Sequence, residues 1–180
     1  HVRASQRIDG AIQRFIAPAG GLDPARGGAD KTSCARRHGN WFDQIVTAPG
    51  VVTKDGPTTA GFVVPLVRNG AAICVDSIGI GSSALDFLVG LNLSVFPIVG
   101  SAASGSMDKA GQLRFRNRRA EMYWRLREAL DPAATETIAL PPDPELAADT
   151  LVAHDDERTA QCVLAVARAV LERVGPMNLG

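Results

Sequence analysis

An apolar run that ends on a carboxylate and turns at once through glycines constrains this chain more than any other feature. Ala71-Ala72-Ile73-Cys74-Val75 closes on Asp76, and Ser77-Ile78-Gly79-Ile80-Gly81 follows directly. The run predicts a buried strand and the glycines a tight turn into a helix, the repeating unit of an α/β fold. A charge at the end of a buried strand is costly unless something compensates it. A metal ion, a bound ligand or hydrogen-bond donors must therefore face Asp76. Asp23 stands in a similar frame, Gly20-Gly21-Leu22-Asp23-Pro24-Ala25-Arg26-Gly27-Gly28. Two strand-end aspartates in one α/β chain suggest a shared metal site, although such aspartates are also common turn formers.

A rival reading starts from the same glycines. Gly79-Ile80-Gly81-Ser82-Ser83-Ala84 matches G-x-G-x-x-A between a strand and a helix, as in dinucleotide-binding units. Such a unit needs an acid about 20 positions further on for the ribose. The first acid after the next strand is Asp108, in a loop rich in glycine and serine. Asp76 also precedes the glycines, where the dinucleotide pattern calls for no acid. The metal-site reading fits better.

The 180 residues suffice for one domain with a proper core, and 46% hydrophobic residues indicate a globular chain. Nineteen basic and 19 acidic residues cancel, which argues against a whole-surface grip on nucleic acid but allows a local basic patch. The three cysteines, Cys34, Cys74 and Cys162, are far apart and form no C-x-x-C pair. They read as buried free thiols in a reducing compartment rather than as a zinc site or a disulfide framework. The start, His1-Val2-Arg3-Ala4, has no apolar core of a signal peptide, and no run approaches the roughly 18 apolar residues of a membrane span. No membrane association is expected.

The element order is predicted as follows. Residues 1–18 form a polar lead-in, and 19–180 a single domain. A short strand at 20–23 enters the loop Pro24 to Asp30. Strands at 31–37 and 41–48 make a hairpin around His38-Gly39-Asn40. A helix covers Thr59 to Arg68, with Pro65 inside it, and the strand 71–76 follows. A helix from Ser82 to Leu91 precedes a strand from Leu93 to Val99. Residues 100–112 are expected to be mobile. Asn117 caps a helix that runs to Leu130 and stops at Asp131-Pro132. A brief strand at Ile138 to Leu140 and a helix through Leu151 come next. Val163, Leu164, Ala167, Val170, Leu171 and Val174 form the apolar stripe of a last helix. A hairpin followed by alternating helices and strands favours an α/β fold with a mixed sheet.

Four blocks, in order over residues 20 to 150, resemble one known family. They are Gly21-Leu22-Asp23-Pro24-Ala25-Arg26-Gly27-Gly28-Ala29-Asp30-Lys31-Thr32 with Ala35-Arg36-Arg37-His38-Gly39-Asn40; Val75-Asp76-Ser77-Ile78-Gly79-Ile80-Gly81; Phe115 to Glu128, similar to an N-x-R-A-E-M-x-W helix; and Leu140-Pro141-Pro142-Asp143-Pro144-Glu145-Leu146. They resemble the nuclease domain of the large terminase subunit of tailed bacteriophages. The resemblance implies an RNase H-like mixed β-sheet flanked by helices, with Mg2+ or Mn2+ as cofactor. It implies a metal-dependent endonuclease that cuts concatemeric DNA during genome packaging, in the cytoplasm of a bacterial host. Double-stranded DNA is the implied partner, with a packaging ATPase domain or the portal beside it. No G-x-x-x-x-G-K-[ST] occurs here, so the ATPase activity is not expected of this chain. The chain would then be a fragment, a separately expressed domain or a shortened prophage gene product.

An acidic triad is implied, beginning with Asp23 and Asp76; Asp30 reads as a hairpin-turn residue. The third acid departs from the family pattern, D-x-x-D-A-x-x-L-A. Matching Cys162-Val163-Leu164-Ala165 to its end places Ala160 at the acid. Asp156, one helical turn earlier on the same face, is the candidate catalytic and metal-holding substitute. Asp155 and Asp156 read equally as caps of that helix. Lys109, Arg114, Arg116, Arg118 and Arg119 form a basic patch suited to a phosphate backbone. Arg118, Glu121, Arg125 and Glu128 read otherwise as a solvated ladder of ion pairs, and Tyr123 and Trp124 as core. His38 and His154 carry no expected role. The alternative to an active nuclease is a catalytically incomplete prophage remnant or an interaction module that keeps the fold.

Overall fold

A computed structural model describes residues 19–147, except Arg26, Gly28, Glu136 and Glu145, together with Val166. The expectations for residues 1–18 and for the last helix, Val166 apart, lie outside these residues. The first strand, β1, is Ala19–Asp23, all five residues buried. It pairs antiparallel with β2, Lys31–His38, and parallel with β5, Ala72–Asp76. The sheet order is β3-β2-β1-β5-β6, with β3 at Trp41–Phe42 and β6 at Val95–Ile98. β4, Val46–Pro49, also pairs with β2.

The predicted hairpin is present, but its second arm is broken. Arg37 pairs with Phe42 on one side of the break and Cys34 with Val46 on the other, so the register advances by one residue. Asp43 to Ile45 thus hold one residue more than β2 offers, a bulge. An ion pair of 2.6 Å between Arg36 and Asp43 fastens it.

The first helix among the described residues, α1, runs Gly56–Val63 rather than 59–68. The difference lies in its cap. Asp55 accepts from the Thr58 amide at 2.9 Å and the Thr58 side chain returns to the Asp55 amide, a reciprocal box that starts the helix early. Pro65 confines the continuation to a 3-10 turn, Val64–Leu66. α2 covers Ile80–Gly90. α3 covers Arg118–Leu130, capped by Asn117 as predicted. The brief strand near 138–140 is reduced to a bridge between Ala139 and Trp41.

Each face of the sheet carries its own core. Leu22, Cys34, Ile73 and Val75 pack with Ala60, Val63 and Leu88 of α1 and α2. Ala35, Cys74 and Ile98 pack with Met122, Leu126 and Ala129 of α3 on the other face. Val166, helical and fully buried, joins this second cluster. Cys34 and Cys74 are both buried, and burial pushes the Cys34 thiol up to about 12 despite the nearby Arg36. Cys34 is therefore a core residue, not a nucleophile.

Candidate metal centre and nucleic-acid interface

Sheet register brings the two aspartates together. β1 and β5 run parallel with Leu22 opposite Val75, so Asp23 and Asp76 are the next residues in step. Neighbouring strands lie about 4.8 Å apart. Leu22 and Val75 both face α1 and α2. Alternation therefore turns both aspartates to the opposite face, where α3 and Val166 pack. Asp23 is buried and Asp76 half-buried. Each carboxylate ends a strand, at the end of the sheet where β1 and β5 run out.

The loops behind the aspartates are built to hold them. Asp76 Oδ1 accepts from the Ile78 amide at 3.1 Å, and the Ser77 amide donates to the Ile98 carbonyl at 3.1 Å. Gly79 takes φ 66°, a left-handed value that glycine adopts without cost, and opens α2. Gly81 leaves no room for a side chain. A β-carbon there would collide with the Asp76 carbonyl oxygen and lie 2.7 Å from its carbon, with Pro24 Cγ at 3.8 Å. The first turn of α2 is thus wedged between the two aspartate loops.

A buried hydroxyl chain fixes the loop that follows Asp23. The Ala25 amide donates to Thr32 Oγ1 at 2.9 Å, Thr32 Oγ1 bonds Thr53 Oγ1 at 2.7 Å, and the Thr59 hydroxyl donates to the Thr53 carbonyl at 3.2 Å. Thr32, Thr53 and Thr59 are all essentially inaccessible. Thr32→Val keeps the shape but strands the Ala25 amide and leaves the Thr53 hydroxyl with only its 3.4 Å bond to the Pro49 carbonyl. It is expected to cost about 1–3 kcal/mol, read from the midpoint of urea unfolding. Composition hid this network: a threonine in a strand looks the same whether or not its hydroxyl is used. Asp30 is exposed and contributes its carbonyl to the Gly50 amide at 2.7 Å, a turn role as expected.

The donors at the paired aspartates are carboxylate oxygens, the ligand type that magnesium and manganese favour. Among the described residues, no group of three or more His, Cys, Asp or Glu could hold a metal ion. Asp155, Asp156 and Glu157 lie outside the described residues. The site as described therefore supplies two carboxylates.

The basic segment departs from its expectation. Residues 100–112 are not a free loop but are tied to α3. The α3 amides of Arg118 and Arg119 donate to the carbonyls of Ala102 and Gly100, both at 2.9 Å, which seats the helix N-terminus just past β6. Glu121, expected on a solvated face, is 1% exposed; it accepts from the Ser104 hydroxyl at 2.7 Å and from Arg118 at 3.3 Å. Arg118 is accordingly half-buried, occupied in part by Glu121, and Arg119 is half-buried against Gly100. Lys109, Arg114 and Arg116 are exposed. Trp124 is half-buried, and its indole nitrogen donates to Glu128 at 3.0 Å.

A mixed sheet with two acidic strand ends on one helix-covered face is an α/β architecture with a candidate metal centre. No protein-family model matches the sequence, and no curated protein matches it either. Solved structures do. A point mutant of the nuclease domain of the large terminase subunit gp2 of bacterial virus Sf6, with manganese and β-thujaplicinol, superposes with a TM-score of 0.65. The pair shares 15% identity over 90% of this chain and 93% of that one. The large terminase nuclease of thermophilic phage G20c with bound magnesium gives a TM-score of 0.64 at 11% identity, over 87% and 81% of the chains. The same nuclease with bound zinc gives 0.60 at 12% identity, over 88% and 82%. The fold is that of the large-terminase nuclease domains, an RNase H-like mixed sheet flanked by helices.

Proposed function

We propose that this chain is a divalent-metal-dependent DNA endonuclease domain of the large-terminase kind. The observation that carries the reading is the placement of Asp23 and Asp76, in step on adjacent parallel strands and on one face. The similar nuclease domains were solved with manganese, magnesium or zinc, which supports an acidic metal centre here. Asp23 and Asp76 are the residues that would hold the cations, and Asp156 is the proposed third ligand. Bound cations of this kind supply an activated water and stabilise charge on the scissile phosphate. The protein's share is placement: buried strands fix the two carboxylates, and Lys109, Arg114, Arg116 and Arg119 take backbone phosphates without reading sequence. Arg118 adds positive charge while bracing Glu121.

Double-stranded DNA is the proposed substrate. A packaging ATPase domain or the portal is the proposed partner, and the bacterial cytoplasm the proposed compartment. Among the described residues, no helix is long and apolar enough to cross a membrane.

Supercoiled plasmid incubated with manganese, magnesium or chelator tests the reading. Nicking that is supported by manganese, feebler with magnesium and absent with chelator is expected. Two firm carboxylates suit magnesium poorly, because it demands near-ideal octahedral geometry. Ala160→Asp restores an acid at the position the family pattern calls for and is expected to raise magnesium-supported nicking. Strong magnesium activity in the unmodified chain, lost in Asp156→Ala, would show a triad already completed by Asp156. No nicking in any metal, with or without Ala160→Asp, would leave the incomplete, non-catalytic form of the fold.

A further inference from the structure

The basic segment between β6 and α3 is a built arm. Met107 and Arg114 pair as a bridge across a tight turn. Inside it Asp108 Oδ1 accepts from the amides of Gln112 at 2.7 Å and Leu113 at 2.9 Å, and its carbonyl accepts from Gly111 at 3.0 Å. These amides hold the Asp108 carboxyl below the usual carboxylate range. Two residues of α3 then clasp the turn. Arg125 donates to the Met107 carbonyl at 2.8 Å and to Glu128 Oε2 at 3.1 Å. Glu128 Oε1 accepts from the Lys109 amide at 3.1 Å. Phe115, buried, closes the base between Trp124 and the Arg125 guanidinium, 6.3 and 5.8 Å away between centres.

We propose that Arg125 and Glu128 are positioning residues that hold residues 104–116 as a preformed arm, so that Lys109, Arg114 and Arg116 meet a phosphate backbone without first being ordered. This rests on the DNA-binding reading above. The clasp uses main-chain groups of the arm, Met107 O and Lys109 N, and leaves the lysine and arginine heads outward. The arm springs from the end of β6, beside the strand ends that carry the aspartates, and follows α3 back. From Arg118 to Glu128 the helix rises about 15 Å, enough to track several phosphates of one strand. An arm ordered in advance avoids the conformational cost that a loose loop meets on binding.

Charge and position make opposite predictions for Glu128→Ala. The variant loses an anion, so simple attraction would tighten DNA binding. Release of the arm weakens it instead, by about 5-fold or more. Binding is measured on a labelled 25-base-pair duplex of mixed sequence, in chelator, across salt concentrations. Glu128→Ala should weaken binding and flatten the salt dependence, and trypsin should cut faster after Lys109 and Arg114. Arg125→Met and Arg127→Met remove the same charge, but Arg127 is exposed and stacks on Trp124, 4.8 Å from its ring, rather than clasping the arm. The Arg125 variant should lose more affinity and gain the tryptic cuts; the Arg127 variant should not gain them. Binding by Glu128→Ala as tight as the unmodified chain, or equal behaviour of the two arginine variants, overturns the inference. An unmodified chain that fails to bind the duplex at all overturns the DNA reading with it.

Discussion

Gly81→Ala is expected to damage both the stability of this protein and its candidate metal centre. The β-carbon has no space, because the obstacle is the Asp76 backbone and not the tip of a movable side chain. Either the first turn of α2 lifts or the end of β5 shifts. Overpacking of this kind costs about 3 kcal/mol, seen as a lower urea midpoint. The part of the strain relieved by moving Asp76 appears in function: a displacement of about 1 Å at a reacting centre costs on the order of 100-fold in rate. Manganese-supported nicking should fall, and the manganese concentration for half-maximal activity should rise. Gly61→Ala is the control, since a β-carbon there meets nothing within 4 Å. Equal nicking and equal stability in both variants would contradict the wedge.

Asp76→Asn is expected to remove divalent-dependent nicking to background while the fold stays intact. The amide oxygen can still accept from the Ile78 amide, so the turn survives. What disappears is the negative charge. Without metal, Asp23 and Asp76 repel each other across one strand spacing, so the variant should unfold at equal or higher urea concentration, a gain of up to about 1 kcal/mol. Unmodified nicking in this variant would place any nuclease activity at another site.

The sheet was legible where its strands are short runs with punctuated ends, as β1, β5 and β6 are. Asp23 and Asp76 could be singled out as charges closing such runs, and their equal register follows from strands that begin and end together. The shape of the basic segment was not legible. Glycines and serines from Gly100 to Gly111 look mobile in isolation, whereas the bonds that order them come from Arg125 and Glu128 on the following helix. Glu121 was misread for a related reason. Helical spacing shows which residues share a face, but not that Ser104 and the arm cover that face. The early start of α1 came from Asp55 and Thr58 capping each other, a local bond that outweighs the apolar spacing further along. The proposed third ligand, Asp156, lies outside the described residues; of the last helix the structure describes only Val166, helical and buried on the face that bears the aspartates.

The parallel pairing of β1 with β5 makes the separation of the two carboxylates a property of the sheet and not of the loops. A slip of one residue between these strands would send one aspartate to the α1 and α2 side and draw a core side chain to the other. Leu22 and Val75, both with no exposed surface, therefore act as alignment pins for the acids that follow them. Loop substitutions can alter how DNA approaches, but the spacing of the acids is protected by the same apolar burial that keeps the domain folded. Away from the Gly81 contact, loss of that spacing should then coincide with global unfolding, not precede it.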